Sequence, residues 1–173
     1  MKILFLTPQL PYPPRQGTQI RNYHLLKAAA ITHQVDLLSF ARPGETIESA
    51  GPLPELCGEI RLVPAPKRSR TGRLTLFLGS LDPDMAHRLR SEGFAATLGS
   101  MLAGNKYDLV QIEGIEMARY LPTVRECAPQ TWVFFDDHNA EYLLQRRAAF
   151  VDLRRPSAWP KALYSLAQWQ KLR

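Results

Sequence analysis

Cysteine is scarce, with Cys57 and Cys127 the only two in 173 residues. They stand far apart and match no metal-ligand spacing, so a disulfide-stapled scaffold and a cysteine zinc site are set aside. Both thiols are expected to be reduced. No two histidines stand in His-x-x-x-His spacing, which removes the usual helical zinc pair. The sequence has neither Gly-x-Gly-x-x-Gly nor Gly-x-x-x-x-Gly-Lys-Ser/Thr, so a standard dinucleotide site and a P-loop are not expected. A Gly-x-Ser-x-Gly elbow is also missing, and with it the signature of a serine hydrolase. Long apolar runs are lacking. The opening run Met1 to Leu6 is too short for a signal peptide or a membrane span, and Pro8 ends it. The expected location is the cytoplasm, including the inner membrane face. The few aromatics do not interleave with arginines as a stacking platform requires, so nucleic acid is not an expected partner.

What is present is ordinary for a folded protein. Apolar residues make up 45% and charged residues 22% of the chain, and the length suits one domain with a real core. The net charge of +6 points to an acidic partner, such as an anionic lipid or a nucleotide phosphate.

Short apolar runs alternate with helical stretches. Lys2 to Thr7, Gln34 to Phe40, Glu59 to Val63, Asp108 to Ile112 and Thr131 to Phe135 are expected strands. Gly17 to about Ala30 is an expected helix with a core stripe of Ile20, Tyr23, Leu26 and Ala30, widened by Leu25 and Ala29. Leu74 to Leu81 suggests a short helix, and Pro83 to Ala103 a longer one. Ile115 to Cys127 suggests a helix bent near Pro122. Asn139 to Leu153 is expected to bury Ala140, Leu144, Ala148 and Val151, with Leu143 beside them. A last helix, capped by Ser157, runs to Leu172. Such alternation predicts an α/β fold, a Rossmann-like doubly wound parallel sheet. Residues 1–155 form the domain and 156–173 a C-terminal helix.

In such sheets ligands lie beyond the carboxyl ends of the strands. That rule marks the loop after Thr7, the loop after Phe40, Glu113-Gly114, and Asp136-Asp137-His138-Asn139. In the first loop, Gly17 opens a helix whose free N–H groups and dipole favour an anion, with Arg15, Gln16 and Arg21 flanking it. The other reading is that Gly17 serves only the turn into the helix, and both stay open at this point. His138 could donate a hydrogen bond to a sugar hydroxyl or a phosphate, and Asp137 or Asn139 could cap the following helix. Gly114 frees the backbone after a strand and turns Glu113 toward the cleft. His24 and His33 are expected to be structural. The basic run Lys67, Arg68, Arg70 and Arg73 is either a solvated loop or a contact with an anionic membrane surface.

The opening MKILFLTPQLPYPPRQGTQIRNYHLLKAAA resembles that of family 4 glycosyltransferases: strand, proline-containing loop, glycine, and a helix carrying arginine. HQVDLLSF, YDLVQIEG and FFDDHNAEYLLQRR resemble later blocks of the same N-terminal domain. The resemblance implies the N-terminal half of a GT-B fold, in which two Rossmann-like domains face each other across a cleft. It implies sugar transfer from a nucleotide-sugar donor with retention, without a cofactor or a required metal. The acceptor, a sugar, lipid or small molecule, is held mainly by this half and the donor by the other. Carried over by position, Gly17 and its loop approach the donor phosphates, His138 lies near the transferred sugar, and Glu113 faces the acceptor pocket. Many members have two glycines where this chain has Gln16-Gly17. The family's second domain carries a Glu-x7-Glu element with no counterpart here, so the chain is expected to be a fragment that is inactive alone. Trp159, Leu163, Leu166 and Trp169 are expected to face missing sequence. The alternatives are a different nucleotide-binding Rossmann-like protein and a non-catalytic module that binds a sugar or a membrane surface.

Overall fold

The computed structural model describes residues 1–67 and 82–172. Its centre is a five-stranded sheet built from β1 (Lys2–Thr7), β2 (Gln34–Ala41), β3 (Ile60–Pro64), β4 (Leu109–Glu113) and β5 (Trp132–Asp136). The spatial order is β3-β2-β1-β4-β5, and every neighbouring pair is parallel. β1 is central, with Phe5 beside Leu37 on one side and Gln111 on the other. The chain builds outward from β1 in one direction, then returns to lay β4 on its other edge. That reversal is the topological switch point of a Rossmann-like doubly wound sheet.

Alternation along β1 divides the core in two. Leu4 and Leu6 belong to the cluster holding Phe40, Phe94, Leu98, Met117 and Val124. Ile3 and Phe5 belong to the cluster holding Leu10, Leu26, Val35 and Leu53. The second face is covered by α1 (Gly17–Ala30) and the short α2 (Leu53–Leu56). On the first face lie α3 (Asp84–Arg88), α4 (Glu92–Gly104), the 3-10 turn Ile115–Tyr120 and α5 (Leu121–Cys127). Phe94 stacks on Phe40 with ring centroids 4.4 Å apart and also meets Tyr120 at 4.5 Å. Each such pair is worth about 0.5–1.5 kcal/mol beyond the area it buries. At the amino end of the sheet, buried Asp36 accepts the Tyr107 hydroxyl at 2.8 Å and pairs with Lys2 at 3.1 Å.

Several expectations need correction. The helix expected over Pro83 to Ala103 is two helices, divided where Ser91 caps α4 by accepting the amide of Phe94 at 3.2 Å. On α1 the buried residues are Gln19, Asn22 and Leu26, while Ile20 and Leu25 are exposed. The helix is rotated because Gln19 and Asn22 find polar partners beneath it. α6 (Glu141–Asp152) buries Ala149, whereas Leu144, Ala148 and Val151 face outward. It packs on α7 (Trp159–Lys171), whose buried residues are Ala162, Ser165 and Gln168. Small side chains let the two helices approach closely and leave the larger apolar ones outside. Trp159 and Leu163 are accordingly exposed, and Leu166 and Trp169 half-buried. Ala158, not Ser157, occupies the cap position of α7. His24 is exposed against the edge of the Tyr23 ring rather than packed. Lys67 is exposed, and Arg68, Arg70, Arg73 and the helix expected over 74–81 lie outside the described residues. Among the described residues no helix is long and apolar enough to cross a membrane.

Candidate functional site

At the carboxyl end of β4, Glu113 is completely buried. A carboxylate so placed is costly unless its lone pairs are satisfied. Its Oε1 accepts from Gln111 Nε2 at 2.7 Å. Its Oε2 lies 2.6 Å from His138 Nε2 and, with the Asn22 amide in its satisfied orientation, accepts from Asn22 at 2.9 Å. α1, β4 and the loop after β5 thus meet on one carboxylate. β4 and β5 place Glu113 level with Asp136, and that register brings His138 within reach two residues later.

Gly114 makes the next turn. Its φ of 87° and ψ of 150° lie where only glycine is unstrained, and its amide donates to Asp136 O at 2.8 Å. A Cβ built there would lie 3.0 Å from Glu116 Oε2 and 3.9 Å from the His138 ring. On the rim, Arg21 of α1 forms an ion pair with Asp136.

Gly114, Glu116 and His138 border a cleft of about 280 Å³ at the switch point. Gln16 and Thr18 at the start of α1, Gly114, His138 and Asn139 line it together with Arg42, Arg88, Glu116, Asp137 and Glu141. Gln16 is the extended cap residue of α1, and no acidic residue lies in the helix's first turn. The positive end of the helix therefore borders the cleft with no acidic side chain of its own first turn and no side-chain cap. Arg88 reaches Glu116 at 3.1 Å, and Arg42 donates to Gln9 at 2.8 Å. Burial raises the carboxyl of Asp137 above the usual range, and the nearby acids Glu116 and Asp136 add to it against the opposing pull of Asn139 and His138. Glu141 is also raised, first by burial and then by the charge of Asp137.

The expected site residues are mostly brought together. Gln16, Gly114, His138 and Asn139 line the cleft, Glu113 lies beneath it, and Arg21 stands beside it. Gly17 is exposed at the start of α1 between two lining residues, and a Cβ there would meet nothing within 4 Å. The fold itself therefore does not require glycine at 17. Arg15 lines a neighbouring groove with Tyr12, Gly44 and Glu45 instead of the cleft. The sequence marks the loop after β2 without singling out Arg42, includes Glu141 at the end of the polar segment that starts at Asp136 without giving it a role, and does not mark Arg88 or Glu116. Their only signal was proximity in sequence to strand ends or helix starts. Ligand atoms of Glu113, Asp136 and His138 lie within 4.8 Å of one another, a grouping that could hold a cation. Arg21 and the donors on Glu113 already occupy those oxygens, and a cation would have to displace them.

No family model and no curated protein matches the chain. Among solved structures, the C-terminal domain of a hydrogenase from Pyrococcus furiosus is similar over 78% of this chain and 90% of its own length. The identity is 16% and the TM-score 0.49. The fold stated above rests on strand order and register, and a likeness at this level adds nothing about activity.

Proposed function

We propose that this chain is the acceptor-side domain of a retaining glycosyltransferase of the family 4 type, working with a second domain that grips most of the nucleotide-sugar donor. The observation that carries the proposal is the meeting of an uncapped helix N-terminus and a carboxylate-anchored histidine in one polar cleft at the switch point of a parallel sheet. Sequence blocks that resemble the family supply Gln16 to Arg21, Glu113-Gly114 and Asp136 to Asn139, while Arg42 and the segment Met85 to Leu89 lie outside those blocks.

The chemistry follows from what the cleft offers. In retaining transfer the bond from the sugar's anomeric carbon to the nucleotide phosphate breaks, and a bond to the acceptor oxygen forms on the same face. Positive charge grows on the sugar ring and negative charge on the departing phosphate. Free N–H groups at the start of α1 suit the phosphate, and fixed dipoles in a sheltered cleft cost no reorganisation as charge develops. Arg42 and Arg88 lie along the same cleft, set among the acids Glu116, Asp137 and Glu141. The departing phosphate oxygen can take the acceptor's proton, so no dedicated carboxylate base is needed. In this reading His138, at the same cleft, supplies the polar contact to the sugar.

The test is transfer by the complete gene product with a panel of nucleotide sugars and acceptors, followed by mass spectrometry. His138→Ala should lower turnover by about 100-fold or more, the loss typical of removing one preorganised polar contact in a transfer site. Unchanged turnover in that variant would remove His138 from the site. Absence of transfer with every donor would remove the reading itself.

A further inference from the structure

Glu113 does more than neutralise its surroundings: we propose that it is a positioning residue that locks His138 in the Nε2–H tautomer, so that Nδ1 presents a lone pair to a hydroxyl group in the cleft. The reasoning starts with the acceptors and donors on Glu113. A carboxylate offers only lone pairs. Both of its other contacts are amide donors, Gln111 on Oε1 and Asn22 on Oε2. The 2.6 Å contact between Oε2 and His138 Nε2 is then a hydrogen bond only with the proton on Nε2. In the neutral ring that leaves Nδ1 as the acceptor.

Geometry puts Nδ1 on the open side. It has no hydrogen-bond partner among the described residues, yet it is not among the buried side-chain atoms left without one. It lies beside Gly114, itself a lining residue, where an added Cβ would come within 3.9 Å. A methyl at 114 would rest in van der Waals contact with that nitrogen. The sheet holds the arrangement from below: Gln111 and Glu113 share a strand face, and Asn22 ties the same carboxylate to α1.

The consequence is chemical selectivity. A lone pair on Nδ1 receives the O–H of a neutral polyol. A phosphate oxygen, which has no proton to give when fully ionised, is left to the N–H groups at the start of α1. This consequence for a sugar hydroxyl rests on the glycosyltransferase reading, whereas the tautomer does not.

Nitrogen-15 labelling tests the tautomer directly. Long-range proton–nitrogen spectra of the chain at pH 8 resolve the rings of its four histidines, with His138 assigned by the signals lost in His138→Asn. The expected spectrum shows Nε2 protonated and Nδ1 bare. A ring protonated on Nδ1 alone, or on both nitrogens, overturns the proposal. Glu113→Gln keeps the volume and offers one oxygen to three donors, so His138 should then populate both tautomers. A pure Nε2–H ring in that variant would deny Glu113 its positioning role. If that variant does not fold, the wild-type spectrum still decides the tautomer. These readouts need no transferase activity, so their failure is distinct from failure of the proposed function.

Discussion

Gly114 and Thr7 are single residues whose backbone or hydroxyl carries an identifiable cost. At Gly114 any other residue enters a backbone region close to forbidden, and its Cβ presses on Glu116. Gly114→Ala should therefore lose about 1–3 kcal/mol, measured as a lower midpoint in urea; an unchanged midpoint would mean that the turn relaxes freely. Thr7, at the end of β1, buries a hydroxyl with no hydrogen-bond partner among the described residues. Thr7→Val removes that orphan, and stability should hold or rise, by at most the roughly 1–3 kcal/mol charged to an unsatisfied group. A clear loss in the melting curve would show that the hydroxyl is satisfied in solution. The site's chemistry was legible where it follows a strand: Glu113 and His138 stood out because polar residues after a buried strand fall at the ligand end of a parallel sheet. Arg42 and Arg88 did not stand out, because their convergence depends on loop paths and helix placement that local pattern does not encode.

Elements were legible in kind more than in orientation. All five strands lie where short apolar runs bounded by turn residues put them, and the bounds of α1 agree with expectation. Periodicity failed on which face is buried, for two physical reasons. In α1 the buried Asn22 answers a carboxylate from β4, far away in sequence, and the buried Gln19 answers the Leu10 carbonyl. In α6 and α7 close packing favours Ala149, Ala162 and Ser165, whereas a hydrophobicity count favours the larger side chains left outside. The division between α3 and α4 carried a readable sign in Ser91, three residues before Phe94, since serine is a preferred cap. Ser91→Ala should cost about 0.5–2 kcal/mol in a denaturant melt, with α4 fraying first in hydrogen exchange; uniform protection across α4 would contradict the capping role.

For the whole molecule, the raised carboxyls of Asp137 and Glu141 link stability to pH. Both groups hold a proton more firmly in the folded chain than in the unfolded one. Their contribution is therefore greatest in acid and is lost as pH rises from about 4, the ordinary carboxylate value, through their raised values. The double variant Asp137→Asn, Glu141→Gln should flatten that part of a melting-temperature profile. A profile left as steep as before would assign the pH dependence to other groups. The two ends of α1 are held to the sheet by different means. Toward its last turn Leu26 sits in oily contact with Phe5 and Leu37, a grip that tolerates small slides because apolar attraction has no direction. Near its start Gln19 donates to Leu10 O at 3.0 Å and Asn22 to Glu113, and such bonds weaken steeply when misaligned. The helix thus behaves like a bolt with a smooth shank and a keyed tip. Its tip cannot advance or turn without unlocking the histidine anchor, so the two halves of the cleft keep a common alignment.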